Sequence, residues 1–250
     1  MESACDIFYG IYENGDRSDI ISNLLRRLDF HTLSITLLAT IASHNMWSHD
    51  RLAREWDTHR TQVLQTDYNE SLVATIELSL ASPTFRDLGP EARDLLGVVA
   101  FFPQGINENN LDWLFPTISD RAKIFDKFCN LSLTHRSNGF VTMLAPLRNH
   151  LGPKDLISSP LLRTTKQCYF SRLLVRPNPN RPGFGETRWI TSEDVNVEHL
   201  LDVSTTVDTN SNDIWRLCGY FVMHLHWHKP RLVVLGPKIK ELPADHPLKL

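Results

Sequence analysis

The stretch LDFHTLSITLLATIASH, residues 28–44, limits the possible folds of this chain more than any other segment. Leu33, Leu37 and Ile41 recur four residues apart, one stripe of a 3.6-residue helix, and Leu38 widens that stripe. A helix apolar over so wide an arc reads as buried. The same period runs through the rest of the first third. Ser18-Asp19 is placed to cap a helix carrying Ile20, Ile21, Leu24, Leu25 and Leu28. Ser48-His49-Asp50 precedes a short helix with Leu52 and Trp56 four apart. Asn69-Glu70-Ser71 leads into LVATIELSL, which Ser82-Pro83 ends.

The rhythm changes in the middle. Pro90 opens a helix carrying LLGVVAFF, since proline is tolerated in a first turn, and Pro103-Gln104-Gly105 stops it. Ile106-Asn107 reads as a short bridge and cap before a short helix with Leu111, Leu114 and Phe115. A further helix from about Ser119 to Asn130 would bury Ile124, Phe125 and Phe128. Then two β-prone runs, LSLTHR and FVTML, are joined by Ser137-Asn138-Gly139. Asn-Gly supplies the positive φ that a tight hairpin needs. Helices followed by a hairpin are in the order of a winged-helix domain. A short helix resumes at Ala145–Leu151.

Beyond the breaks at Gly152-Pro153 and Ser158-Ser159-Pro160, helical spacing returns with Tyr169, Phe170, Leu173 and Leu174. PNPNRPGFGETR is a loop, residues 195–207 and 214–228 form a helical pair, and the tail carries the helix breakers Pro237, Pro243 and Pro247. The predicted fold is mainly α: a helical domain over 1–82, a winged-helix domain with one β-hairpin over 83–151, and a helical connector over 152–250.

Chemistry is sparse. No GxxxxGK[ST] loop exists to cradle nucleotide phosphates, and no acidic pair follows LLGVVAFFPQ, so neither Walker A nor Walker B is present. GxSxG, HExxH and CxxC are absent as well. The expectation is that the chain is not an enzyme by itself. Its four cysteines are scattered, the N-terminus MESACDIFYG lacks a basic and then apolar leader, and no apolar run approaches the roughly 20 residues of a membrane span. A cytoplasmic protein with no membrane partner is expected.

Two constellations have a sharper and a blander reading. In MHLHWHK, His224 and His228 would share a helix face able to grip zinc or copper. Leu225 and Trp227 look like packing residues, however, and no carboxylate or cysteine lies nearby, so histidines at the negative pole of a helix end are the better reading. The helix SDRAKIFDKFCN offers Arg121, Lys123 and Lys127 to a nucleic acid, but Asp120 and Asp126 offset them. The hairpin adds only His135 and Arg136, and the net charge is -3. Nucleic acid is an unfavoured partner.

LDFHTLSITLLATIASHNMWSHDRLAREW, SLVATIELSL, LGPEARDLLGVVAFFPQGINENNLDWLFP and NGFVTMLAPLRNHL together resemble fungal STAND-type regulators, the NB-ARC or NACHT-like proteins often followed by tetratricopeptide repeats. The resemblance implies the part that lies between a P-loop core and the repeats. It places the end of the core and the helical domain before Ser82 and the winged helix up to Leu151. It also implies nucleotide contacts at Phe30, His31, Thr32 and Leu33, with Thr32 standing where relatives carry an adenine-packing proline. The phosphate-sensing motif of plant relatives falls on Met143 and Leu144, followed by Ala145, where no imidazole is present; Leu144 is expected to pack instead. The implied function is the lid side of an ADP/ATP switch, with no intrinsic cofactor and with protein partners or full-length relatives. A helical protein-interaction module without a nucleotide role and a winged-helix nucleic-acid binder are the alternatives.

Overall fold

The structure is a computed structural model and describes residues 2–13, 16–28, 30–63, 70–151, 159–174, 188–207 and 211–240, the side chains of 59–63 and 70–71 excepted. It is mainly helical. In chain order the elements begin with α1 (Glu2–Ile11), α2 (Asp19–Arg27), α3 (Thr32–His44), α4 (His49–Val63) and α5 (Glu70–Ala81). There follow α6 (Pro83–Arg86), α7 (Glu91–Phe101), the two-residue strand β1 (Ile106–Asn107), a 3-10 turn at Glu108–Asn110 and α8 (Leu111–Leu114). Next come α9 (Arg121–Asn130), β2 (His135–Ser137), β3 (Phe140–Thr142) and α10 (Ala145–His150). The last helices are α11 (Pro160–Leu174), α12 (Arg188–Ser192), α13 (Asp194–Val207), α14 (Asn212–His228) and α15 (Leu235–Lys240). The chain forms two compact units. Unit 1 comprises Met1–Ala100 and Asp120–Gly152, and unit 2 comprises Phe101–Ser119 and Pro153–Leu250.

Unit 1 is built around α3. Ile35, Leu37, Leu38, Ala39, Ile41 and Ala42 are all buried, as the width of its apolar face requires. Phe8 and Tyr12 of the α1 end, Leu24, Leu25 and Leu28 of α2, and Leu52 and Trp56 of α4 fill the same core. Each such side chain contributes on the order of 1.5–3 kcal/mol. The start of α2 is fixed by Ser18, whose hydroxyl accepts from the Ile20 N–H at 3.1 Å. Tyr12 buries its ring and keeps its hydroxyl satisfied by donating to the Trp47 carbonyl at 2.8 Å.

At the other end of α3, the Thr40 and Ser132 hydroxyls lie 3.1 Å apart, and His44 Nε2 lies 3.0 Å from the Asn130 carbonyl. These contacts fix α3 against the end of α9, where Ile124, Phe125 and Phe128 are buried as the spacing predicts. The hairpin forms with Ser137 opposite Phe140, and Asn138 and Gly139 take φ of 52° and 79°. Both central residues are therefore left-handed, the turn that matches strand twist. The strands are shorter than the apolar runs suggest, because Leu131 and Leu133 are spent on the core before pairing begins.

Unit 2 contains the helical pair α13 and α14, with Val197, Leu200 and Leu201 of the first and Leu217, Cys218 and Phe221 of the second buried. Asn107 acts as the predicted cap, its Oδ1 accepting from the Asn109 N–H at 3.0 Å.

Three helices depart from the sequence expectation. α1 carries Ala4, Cys5, Phe8 and Tyr12 at helical intervals, and all four are buried. α12 starts at Arg188, the last residue of the predicted loop; residues 177–187 of that loop lie outside the described residues. α15 holds Pro237 at its third position, where the missing N–H breaks no intrahelical bond. The breakers Pro243 and Pro247 and most of the predicted boundary at 152–160 lie outside the described residues.

Candidate functional site

The segment that joins α2 to α3 holds one of the left-handed non-glycine residues of unit 1, with Met46, Ser132 and Asn138 the others among the described residues. Phe30 has φ of 54°, a left-handed conformation that is strained for a bulky residue, and its side chain is 40% exposed. The turn is closed by the Phe30 N–H on the Leu25 carbonyl at 3.2 Å and the His31 N–H on the Leu28 carbonyl at 2.9 Å. His31 then caps α3, its Nδ1 accepting from the Ser34 N–H at 3.4 Å. Thr32 is exposed and Leu33 half-buried. The four residues named from the family resemblance thus form one continuous surface ledge: an aromatic ring, an imidazole, a hydroxyl and an apolar side chain.

Met143 and Leu144 stand at the exit of the hairpin. Met143 is buried, and its carbonyl accepts from Arg148 Nη2 at 3.3 Å. Burial lowers the pKa of Arg148, and its Nε is buried without a hydrogen-bond partner among the described residues. Leu144 corrects an expectation. It is exposed rather than packed, because the extended residue that leads into α10 points away from the core.

Clefts open on unit 1 among the described residues, two of which bear on the site. One, of about 470 Å³, has Leu80, Phe85 and Pro90 as its apolar wall and Arg86 and Arg93 at its rim. The other, of about 430 Å³, sets Lys123, Lys127 and His44 against Asp87 and Asp120. Neither is lined by the ledge at Phe30–Leu33 or by Met143 and Leu144. The polar side chains of the hairpin are occupied locally: Arg136 pairs with Asp126 and His135 Nε2 lies 2.9 Å from Thr142 Oγ1.

In unit 2, His224 and His228 share a helix face, with ring centroids 4.4 Å apart. His224 is buried beside Thr191, and burial together with the nearby His228 lowers its pKa. Among the described residues no group of three or more His, Cys, Asp or Glu is arranged to hold a metal ion. Leu225 packs as expected, but Trp227 is 75% exposed; the buried position on that turn belongs to His224.

Sequence reasoning missed a buried polar cluster. Glu193 precedes α13 and is wholly buried. Asn110 Nδ2 and the Tyr169 hydroxyl donate to its carboxylate, and Asn196 Nδ2 lies 3.4 Å from it. Asn196 also donates to the Gly105 carbonyl at 2.8 Å and accepts from the Gln104 N–H at 3.0 Å. Trp113 Nε1 donates to Asn110 Oδ1 at 2.9 Å, and the Arg172 guanidinium lies 4.2 Å from the centre of the Trp113 ring. Burial raises the pKa of Glu193, with its hydrogen bonds and Arg172 opposing the rise. Tyr169 is pushed well above the usual phenol value, first by burial and then by the Glu193 charge. No local signal marks this cluster, since its members come from four separate segments.

The chain matches no protein-family model, no curated protein and no solved structure. Among the described residues no helix is long and apolar enough to cross a membrane.

Proposed function

We infer that the chain is the regulatory helical arm of a STAND-type switch, a cytoplasmic protein presenting the lid side of an ADP/ATP site whose phosphate-binding half lies elsewhere. The observation that carries the reading is Phe30, an exposed aromatic held in a left-handed backbone two residues before the broadly buried helix α3. Strained residues of this kind are retained where the surroundings enforce them and function uses them. A base stacked on such a ring gains about 1–3 kcal/mol. The neighbouring His31 and Thr32 add polar groups to the same ledge. On this reading bound nucleotide favours one of two arrangements of a larger protein, and the chain has no hydrolytic step of its own.

Thermal denaturation with ADP tests it. At ADP ten times its Kd, stabilisation of about 1.4 kcal/mol is expected, and Phe30→Ala removes it while leaving the ligand-free melting point nearly unchanged. Equal responses of wild type and Phe30→Ala, or no response, would leave the second reading, a helical protein-interaction module. That reading draws on two surface clefts of unit 1, which do not include the ledge. The nucleic-acid reading is weakened by the pairing of Arg136 with Asp126.

A further inference from the structure

α13 carries Asp194, Glu198 and Asp202 at i, i+4 and i+8, so three carboxylates line one face at intervals of about 6 Å. Each is met by the segment that follows α14. Lys229 Nζ lies 2.9 Å from Asp194 Oδ1, and Arg231 Nε lies 2.6 Å from Asp194 Oδ2. Arg231 Nη1 reaches Glu198 Oε2 at 2.7 Å, and the Val234 N–H donates to Glu198 Oε1. Lys238, on α15, pairs with Asp202. Residues 229–234 are neither helix nor strand.

The apolar hold of this strap is partial: Leu235 is buried and Val233 and Ile239 are half-buried, but Leu232 is 98% exposed and Val234 is mostly exposed. Charge adds to that hold, and it does so incompletely: Arg231 Nη2 is buried with no hydrogen-bond partner among the described residues. Burial alone would lower the pKa of Arg231, and the carboxylates of Glu198 and Asp194 reverse that into a rise. Asp194 is only 1% exposed on its side chain, so it does not tolerate being left without a cation.

We propose that this face of α13 is a receptor for a basic segment, irregular at its start and helical at its end, and that residues 229–240 occupy it as a releasable ligand supplied by the chain itself. The partner that fits is a protein segment with cations at the spacing of Lys229, Arg231 and Lys238. Because Asp194 must stay paired, such a partner exchanges with the strap and does not add to it. Lys229 and Lys238 retain enough exposure for salt to weaken their pairs, which gives the incoming segment a place to start. The inference is independent of the nucleotide reading, since it involves none of the ledge residues.

The test uses the full chain carrying Lys229→Glu, Arg231→Glu and Lys238→Glu, and a fluorescent peptide spanning Lys229 to Lys240. The peptide is expected to bind the triple variant, to bind wild type at least about tenfold more weakly, and to lose binding when its own three cations are changed to glutamate. Failure to bind a variant with native circular dichroism, or equal binding of the reversed-charge peptide, overturns the proposal. If the variant does not fold, amide exchange on wild type decides. The Val234 amide is expected to exchange roughly tenfold or more faster in 1 M salt than in 0.05 M, with α13 and α14 amides unchanged. Salt-independent exchange at Val234, or exchange in step with α13 and α14, rejects the releasable strap.

Discussion

Unit 1 and unit 2 bury different kinds of side chain. Unit 1 closes over Phe8, Ile21, Leu24, Leu38, Ile41 and Trp56, and the polar side chains buried in it, Ser34, Thr40, Thr75, Ser79, Ser82 and Thr134, are hydroxyls and not carboxylates. Unit 2 has apolar residues of its own, but Glu193, Asp194, Asn196 and Glu198 are buried among them within a short stretch around the start of α13. An apolar core tolerates any arrangement that excludes water. A buried carboxylate tolerates only the arrangement that brings its donors. The comparison predicts that unit 1 answers to lost volume and unit 2 to lost hydrogen bonds.

The largest expected effect is in unit 1. Trp56→Ala should cost about 3–5 kcal/mol in urea denaturation followed by circular dichroism, because a fully buried indole leaves a cavity. A loss near 1 kcal/mol would mean that the core collapses to fill the space and that volume is not what holds it.

Glu193→Gln should cost roughly 1–3 kcal/mol, since an amide nitrogen, unlike either carboxyl oxygen, cannot accept from Asn110 or Tyr169. Its pH dependence has a definite sign. The folded-state pKa is raised above the ordinary 4.5, so the folded protein holds this proton more tightly than the unfolded chain does. The associated stability is full below the unfolded value and is lost as pH rises through the folded one. The penalty for glutamine is therefore expected to be larger at pH 4 than at pH 7. A penalty that grows towards neutral pH would place the stabilising form of Glu193 as the ionised one and reverse the comparison.

The smallest effect belongs to the hairpin of unit 1. Gly139 has φ of 79°, and a Cβ added there would meet nothing within 4 Å. Gly139→Ala therefore registers conformational strain alone, roughly 1 kcal/mol by the same denaturation measurement. A null result would show that the turn relaxes, and that Asn138 alone sets it.

These differences explain what could be read from the sequence. The Ser18 cap, the apolar face of α3, the end of α5 at Ser82-Pro83 and the Asn138-Gly139 turn all depend on residues a few positions apart, and each is present in the structure. α1 shows the same spacing in Ala4, Phe8 and Tyr12 and is legible by the same rule. The network around Glu193 was not legible, because its Asn110 and Tyr169 donors lie 83 and 24 residues away. The acidic ladder of α13 lies between these cases. Its spacing is visible in the sequence, whereas the burial of Asp194 follows from cations that arrive only after α14. For the ledge at Phe30–Leu33, sequence marks the position, and the left-handed backbone of Phe30 emerges only in three dimensions.

The chain passes between its two units three times, at residues 100–101, 119–120 and 152–153. No single cut therefore yields either unit intact. A product ending near residue 152 keeps Phe102, Leu114 and Phe115 while losing the Tyr169 ring that packs on Phe102 at 5.3 Å. A product starting near residue 153 keeps Glu193 and Tyr169 without Asn110. Fragments chosen at the visible breaks would carry unmatched halves of a core, one apolar and one charged. Dissection of this protein works better by substitution, or by excising 101–119 and grafting it ahead of residue 153, than by truncation.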